Sequence, residues 1–240
     1  MSREEKKEGF DYYHLDNGIT VIHKFVTNTK VAHCGFILNV GTRDELPHEE
    51  GIAHFWEHMA FKGTHKRKPY HIINRLEVVG GELNAFTTKE KIFFYASFLD
   101  HHYERSFELL SDITFNSTFL DKEIEKEKGV ILEEMAMYQD SPDELLFDQF
   151  DEQIFSGHSL GKNILGTEQS VKSFSHDDFV RFAKRNLTQG QVAFVSVGNV
   201  PFDKVKKYAK LYLSKINLPQ ASKKKVENWT FAPEVKVQQK

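Results

Sequence analysis

The chain has 240 residues, 40% of them hydrophobic and 28% charged, which is the composition of a globular protein long enough to bury a sizeable core. Its 32 basic and 35 acidic residues give a formal net charge of -3, and this balance excludes the strongly basic surface typical of proteins that bind nucleic acid or anionic membranes. Because Cys34 is the single cysteine, an internal disulfide is excluded, and no apolar run resembles a signal peptide or a membrane span, so we expect a soluble cytoplasmic protein.

Aromatic and β-branched residues predict several strands in the first part of the chain. The Asn17-Gly18 pair between two of these stretches is a strong signal for a tight hairpin turn. The predicted strands cover residues 12–15, 20–25, 31–40, 82–87 and 91–98. Two helices are predicted among them, at residues 49–61 and 69–79, and Pro69 suits the first turn of the second helix while Gly80-Gly81 suits its C-terminal end.

Helices dominate the second part of the chain. The predicted helices cover residues 102–115, 120–138, 143–154, 175–186 and 201–213. A glycine-punctuated loop at residues 157–166 and one late strand at residues 191–197 complete the pattern. Strands grouped early and helices in blocks predict an α+β fold, because strict alternation of strands and helices is absent. We expect one domain over residues 1–218 and a linker over residues 219–240.

The predicted helix at residues 49–61 carries the sequence HFWEH, in which His54, Glu57 and His58 share one face. Its other residues are nearly all apolar, which indicates a buried helix, and buried polar side chains need partners. One divalent metal would satisfy both imidazoles, and Glu57 would lie beside the ion as the general base for an attacking water. The alternative is two core histidines bonded to backbone carbonyls.

A third metal ligand is expected to be a carboxylate, because catalytic zinc commonly has three protein ligands and Cys34 is the single thiol. On the predicted helix at residues 120–138, Glu127 and Glu134 lie within or at the edge of the apolar stripe, whereas Glu133 points about 100° away from Glu134. Two core-facing carboxylates are costly unless a cation lies beside them. The pattern favours Glu134 as the ligand; the alternative is a solvated acidic helix with an imperfect stripe.

Six segments together resemble the family of inverted zinc peptidases that includes pitrilysin, insulin-degrading enzyme and mitochondrial processing peptidase. They are LDNGITVI, NVGTRDE, GIAHFWEHMAFKGT, GGELNAFTTKEKIFFYA, EIEKEKGVILEEM and HSLGKNILGTEQSV, and they extend over nearly the whole chain. The resemblance implies a mostly antiparallel sheet with helices packed on one face, Zn2+ as cofactor, and a zinc endopeptidase activity. In the family, the third zinc ligand is a glutamate whose spacing from the second histidine matches that of Glu134 from His58.

The same resemblance implies roles for residues that do not bind the metal. Glu127 matches a glutamate that supports catalysis near the metal without being a ligand. Asn84, Ala85 and Phe86 match the edge strand that pairs with the backbone of the substrate, which is a peptide, a presequence or an unfolded polypeptide. The alternative for Asn84 is an ordinary strand-end or turn residue.

Members of that family usually carry two homologous domains that enclose the substrate between them. The sequence ends where the second half should begin, so we expect either a piece of a longer protein or a half-size subunit that needs a second homologous domain or subunit, as a homodimer or heterodimer. Two other functions stay open: a non-catalytic or partner-dependent subunit, and a purely structural zinc site. For the latter, the other histidines considered lack ligand spacing to the HFWEH helix and are interpreted as exposed or capping residues; they are His65, His71, His101, His102 and His158.

Overall fold

A mixed sheet of seven strands forms the centre of the computed structural model, which describes residues 2–221. The strands are β1 Arg3–Lys7, β2 Phe10–His14, β3 Thr20–Phe25, β4 Val31–Leu38, β5 Glu82–Thr87, β6 Ile92–Leu99 and β7 Val192–Gly198. The helices are α1 Ile52–Ala60, α2 Pro69–Glu77, α3 Tyr103–Phe115, α4 Asp121–Asp140, α5 Pro142–Ile154, α6 Glu168–Ser173, α7 His176–Asn186 and α8 Phe202–Leu213. The predicted α+β class is confirmed, and most of the predicted linker, residues 222–240, lies outside the described residues.

The strands run in the order β1-β2-β3-β7-β4-β6-β5. Every neighbouring pair is antiparallel except β3 and β7, which are parallel. Strand β5 therefore lies at one edge of the sheet with a single neighbour, β6. Alternate residues of β4, β6 and β7 are buried beneath the helices, which confirms a mostly antiparallel sheet with helices on one face. Within the described residues, no helix is long and apolar enough to cross a membrane.

The opposite surface of the sheet, which we call the open face, is also apolar at its centre. It carries Ile37, Phe86, Phe93, Tyr95, Val195 and Val197 on four adjacent strands. Phe86 and Tyr95 are 43% and 37% exposed, and within the described residues no helix buries this face. A shallow hollow of about 230 Å³ lies over Gly35, because glycine has no side chain to fill the space between the surrounding apolar groups. Large exposed apolar patches of this kind mark interaction surfaces in soluble proteins.

Helix α1 begins three residues later than predicted, at Ile52 instead of residue 49. The reason is Gly51, whose φ of 90° lies in the left-handed region and stops the helix from extending backwards. The free N–H groups of the first turn are satisfied by Glu45, whose side chain accepts from Gly51 N at 3.0 Å and Ala53 N at 2.9 Å. The capping group comes from six residues upstream of Gly51, so no local cap signal marks this helix start.

Two short elements were missed by the sequence analysis. Strand β1 is charged and almost entirely exposed, so it lacks the alternating pattern that predicts a strand. It pairs with β2, and its Glu4 forms an ion pair with Lys206 of α8. Helix α6 is only six residues long, too short for a periodic signal. Its Thr167 cap, which accepts from Ser170 N at 3.1 Å, is the one local feature that could have indicated it.

His23 on β3 is completely buried and belongs to a polar chain inside the core. Its Nδ1 lies 2.6 Å from Ser196 Oγ, its Nε2 lies 2.8 Å from the Val200 carbonyl, and the Tyr103 hydroxyl donates to Ser196 Oγ at 2.8 Å. A neutral ring satisfies this chain by donating from Nε2 and accepting at Nδ1. Burial, the largest influence, lowers the pKa of His23 below its ordinary value.

This buried histidine predicts a pH dependence of stability. A lowered pKa in the folded state means that, below about pH 6.5, the unfolded chain binds a proton that the folded chain does not. The free energy of unfolding should therefore fall as pH drops from 7.5 to 5.5, by at most about 1.4 kcal/mol per pH unit for one proton. His23→Asn should be less stable at neutral pH but have a flatter pH slope in urea unfolding; equal slopes in the two proteins would contradict this.

Candidate metal centre

Helices α1 and α4 bring the three predicted metal ligands together. Nε2 of His54 lies 3.7 Å from Oε1 of Glu134, and Nε2 of His58 lies 3.5 Å from Oε2 of Glu134. One ligand atom from each residue lies within 4.8 Å of the other two. Ligands that bind a tetrahedral zinc at 2.0–2.1 Å lie roughly 3.3–3.4 Å apart, so these separations fit one ion after small side-chain adjustments.

The electrostatic state of the two histidines also fits a metal. His54 is only 7% exposed, and burial first, then the neighbouring His58, lowers the pKa of His54 to about 3. His54 is therefore neutral, which is the form that binds zinc. Its Nδ1 is buried and has no hydrogen-bond partner among the described residues. Two imidazoles and one carboxylate are a common donor set of catalytic zinc, so the residues fit the ion that the sequence predicted.

Glu127 does not belong to the ligand group but contacts one of its members. Its Oε1 lies 2.8 Å from Nδ1 of His58, and its Oε2 accepts from Nζ of Lys62 at 2.6 Å. Burial alone would raise the pKa of Glu127, but the hydrogen bonds from His58 and Lys62 outweigh it and lower the pKa. The ionised carboxylate therefore accepts a hydrogen bond from Nδ1–H of His58, which leaves the lone pair of Nε2 free toward Glu134. The sequence analysis missed Lys62, which lies two residues beyond the end of α1.

Replacing Glu127 with glutamine should weaken zinc binding. The amide is neutral and pairs more weakly with the His58 ring, and loss of such an orienting partner typically costs about 10- to 100-fold in metal affinity. Competition with a chromophoric chelator measures this change. Glu125→Gln is the matched control, because Glu125 lies on the exposed side of α4 and pairs with Lys128. Equal zinc affinity in both variants would show that Glu127 does not orient His58.

Glu57 lies beside the three ligands without joining them. Its Oε2 accepts a hydrogen bond from the hydroxyl of Thr87 at 2.6 Å. Burial is the largest influence and raises the pKa of Glu57; the Thr87 hydrogen bond and the nearby His58 oppose this, and Glu134 adds to it. The structure brings Glu57 near His58 and Glu134, as the sequence predicted. The sequence analysis missed Thr87, which lies thirty residues away in sequence.

The predicted substrate-binding residues Asn84, Ala85 and Phe86 lie in the middle of β5, the edge strand. The pairing of Asn84 with Tyr95 and of Phe86 with Phe93 places both side chains on the open face, whereas Ala85 points toward the helices. Asn84 is thus neither a strand-end nor a turn residue. One backbone edge of β5 has no strand partner in the described part of the chain, so it can accept an added strand.

The other histidines considered as ligands lie elsewhere. His65 and His71 are exposed, and His158 accepts from Leu160 N at 3.1 Å as a capping residue. Neither these nor His101 and His102 join the ligand group formed by the described residues. The prediction of exposed or capping roles is consistent with these positions.

Comparison with known proteins gives a consistent picture. The sequence profile of the insulinase family, peptidase family M16, matches residues 20–168. An uncharacterized zinc protease of Rickettsia bellii is 36% identical over 216 residues, which are 90% of this chain and 52% of that protein. The mitochondrial-processing peptidase subunit beta of Saccharomyces cerevisiae is 32% identical over 202 residues, which are 84% of this chain and 44% of that protein.

The fold is shared with solved structures. The crystal structure of a peptidase M16 inactive domain from Pseudomonas fluorescens superposes with a TM-score of 0.82 at 14% identity, over 93% of this chain and 54% of that one. At this identity the likeness shows the fold alone. This chain spans about half the length of the relatives it matches.

Proposed function

Because the chain belongs to the insulinase family, peptidase family M16, we propose that it is the zinc-binding half of an endopeptidase. The observation that carries this proposal is the convergence of His54, His58 and Glu134 from two helices, with Glu57 beside them. Structural zinc sites are normally closed by four protein ligands, whereas the described residues supply three. A site with three protein ligands leaves a position for water or substrate, which supports a catalytic role.

The chemistry is hydrolysis of a peptide bond. Zinc, when bound, lowers the pKa of a water to about 7 and polarises the scissile carbonyl. Glu57 accepts the proton of the attacking water and later donates it to the leaving amine. A raised pKa suits this double task, because the same carboxyl must act first as a base and then as an acid. Glu127 and Lys62 keep the His58 ring oriented during the reaction.

The substrate is an extended peptide or unfolded polypeptide that pairs with the backbone of β5. Support comes from the edge position of β5 and from its contact with the metal centre through Thr87 and Glu57. Asn84, Ala85 and Phe86 supply the pairing segment. Strand addition uses main-chain hydrogen bonds, so we expect cleavage to depend weakly on the side chains of the substrate.

A second homologous half completes the enzyme, either as a further domain or as a separate subunit. The relatives are about twice as long as this chain, and one of them is named as a subunit. The open face supports the same proposal, because its apolar centre, including Phe86 and Tyr95, stays partly exposed in the described part of the chain. We expect the second half to bury this face.

A non-catalytic or partner-dependent subunit is the second candidate. An inactive domain shares this fold, so the fold by itself does not decide between the two candidates. Against it stands the complete set of site residues, which are His54, Glu57, His58, Glu127 and Glu134. A degenerate subunit has no need to keep both a general base and three convergent ligands.

Metal analysis and a cleavage assay separate the two candidates. The full chain should bind one zinc ion, and an internally quenched fluorogenic peptide should be cleaved when the chain is combined with its second homologous half. Removal of zinc with 1,10-phenanthroline should stop cleavage, and added zinc should restore it. Zinc and peptide binding with no cleavage in the combined protein would favour the non-catalytic subunit.

A further inference from the structure

Thr87 connects the edge strand to the metal centre. It is the last residue of β5 and follows Phe86 directly, at the end of the predicted substrate-pairing segment. Its pairing with Ile92 places its side chain on the helix-covered side of the sheet, the side on which α1 lies. There its hydroxyl donates to Oε2 of Glu57 at 2.6 Å, a short distance typical of a hydrogen bond to a carboxylate.

The turn that follows Thr87, residues 88–91, is fixed by contacts with two other segments of the chain. Nζ of Lys89 donates to the carbonyls of Leu160 and Lys162 at 2.9 and 3.0 Å and pairs with Asp151 at 2.9 Å. On the other side, Arg43 N donates to the Lys89 carbonyl at 2.9 Å. These contacts fix the backbone immediately beyond Thr87.

The backbone of Gly41 packs closely against the same turn. A Cβ atom at Gly41 would come within 2.5 Å of backbone atoms of residues 88–90, so glycine is required for the contact. Arg43 also forms an ion pair with Glu90 from this side. Thr87 itself is β-branched, which restricts its side-chain rotamer. Its hydroxyl is therefore a donor with a fixed position.

We infer that Thr87 is a positioning residue, which holds the Glu57 carboxylate in one orientation and fixes its distance from a polypeptide paired with β5. With Oε2 occupied by the Thr87 hydroxyl, Oε1 is the oxygen that accepts the proton of the attacking water. A substrate added to the edge of β5 is aligned by the backbone of the strand that carries Thr87. One strand thus sets the position of both the scissile bond and the general base. The inference rests on the proposed peptidase function.

Two substitutions separate the hydroxyl from the shape of the side chain. Thr87→Val keeps the branched shape and removes the donor, whereas Thr87→Ser keeps the donor. In the complete enzyme, Thr87→Val should lower kcat by about 10- to 100-fold with little change in KM, because a misplaced base loses much of its contribution. Thr87→Ser should restore most of the lost kcat. Wild-type kcat in Thr87→Val, or an equal loss in both variants, would overturn the inference.

A readout without catalysis distinguishes this inference from the proposed function. In a crystal structure of Thr87→Val, the Glu57 carboxylate should be displaced or disordered, while His54, His58 and Glu134 keep their positions and zinc stoichiometry is unchanged. Glu57 in its wild-type position would overturn the positioning role. If the wild-type protein with its second half cleaves no peptide, the peptidase proposal fails, and the crystal structure still decides whether Thr87 positions Glu57.

Discussion

Replacing Glu57 with glutamine is expected to remove peptide cleavage while leaving zinc in place. Glutamine has nearly the same shape, and its amide oxygen can still accept from the Thr87 hydroxyl, so α1 and the ligand group should be preserved. It cannot take a proton from water at neutral pH. General acid–base catalysis contributes typically about 100- to 10,000-fold, so kcat should fall by a factor in this range.

The measurement combines zinc stoichiometry with cleavage of a fluorogenic peptide by the complete enzyme. Zinc content equal to wild type together with loss of kcat assigns the role to Glu57 itself. Loss of zinc in Glu57→Gln would show that the carboxylate holds the ion. Retained cleavage would contradict its role as the general base, because the neutral amide of glutamine cannot accept the proton of the attacking water.

Replacing Glu134 with alanine is expected to lower zinc binding more than any substitution outside the ligand group. Glu134 is the one member of the candidate ligand group that lies on α4. Its Oε1 lies 3.7 Å from His54 Nε2, and its Oε2 lies 3.5 Å from His58 Nε2. Without it, two imidazoles remain for an ion that needs three protein ligands. Loss of an orienting partner alone costs up to about 100-fold, so loss of a ligand should cost at least about 100-fold in affinity.

Glu133→Ala is the matched control, because Glu133 is the adjacent carboxylate and is exposed on the other side of α4. It should keep a full equivalent of zinc after dialysis against a metal-free buffer, whereas Glu134→Ala should lose it. Equal zinc content in Glu134→Ala and wild type would remove Glu134 from the ligand set. Loss of zinc in both variants would show that the effect arises from α4 as a whole.

The candidate ligand group could be predicted from the sequence because it depends on helical periodicity. His54 and His58 lie one turn apart, and the phase of α4 separates the partly buried Glu134 from the exposed Glu133. Most strands and helices were also predicted, because hydrophobic alternation and the Asn17-Gly18 turn are local signals. These features require no knowledge of which elements become neighbours in space.

Contacts between distant segments could not be predicted in this way. Thr87 reaches Glu57, and the Glu45 side chain caps α1, through arrangements that only the folded chain creates. The Glu127 contact with His58 joins two helices. The resemblance indicated a supporting role for Glu127, but the kind of contact follows from the packing of α1 against α4. The hydrophobic periodicity of the sequence does not indicate which distant residues will come into contact.

The parallel pairing of β3 with β7 has a consequence for the order in which the protein forms. Strands β3 and β4 follow one another along the chain, yet β7 lies between them and pairs with both. During synthesis, His54, His58 and Glu134 have all been made once the chain reaches residue 134. Strands β3 and β4 stay unconnected in the sheet until β7 has been synthesised as far as Gly198. Pairings over such long sequence separations form slowly. The nascent chain therefore carries all three candidate zinc ligands before the seven-stranded sheet is complete.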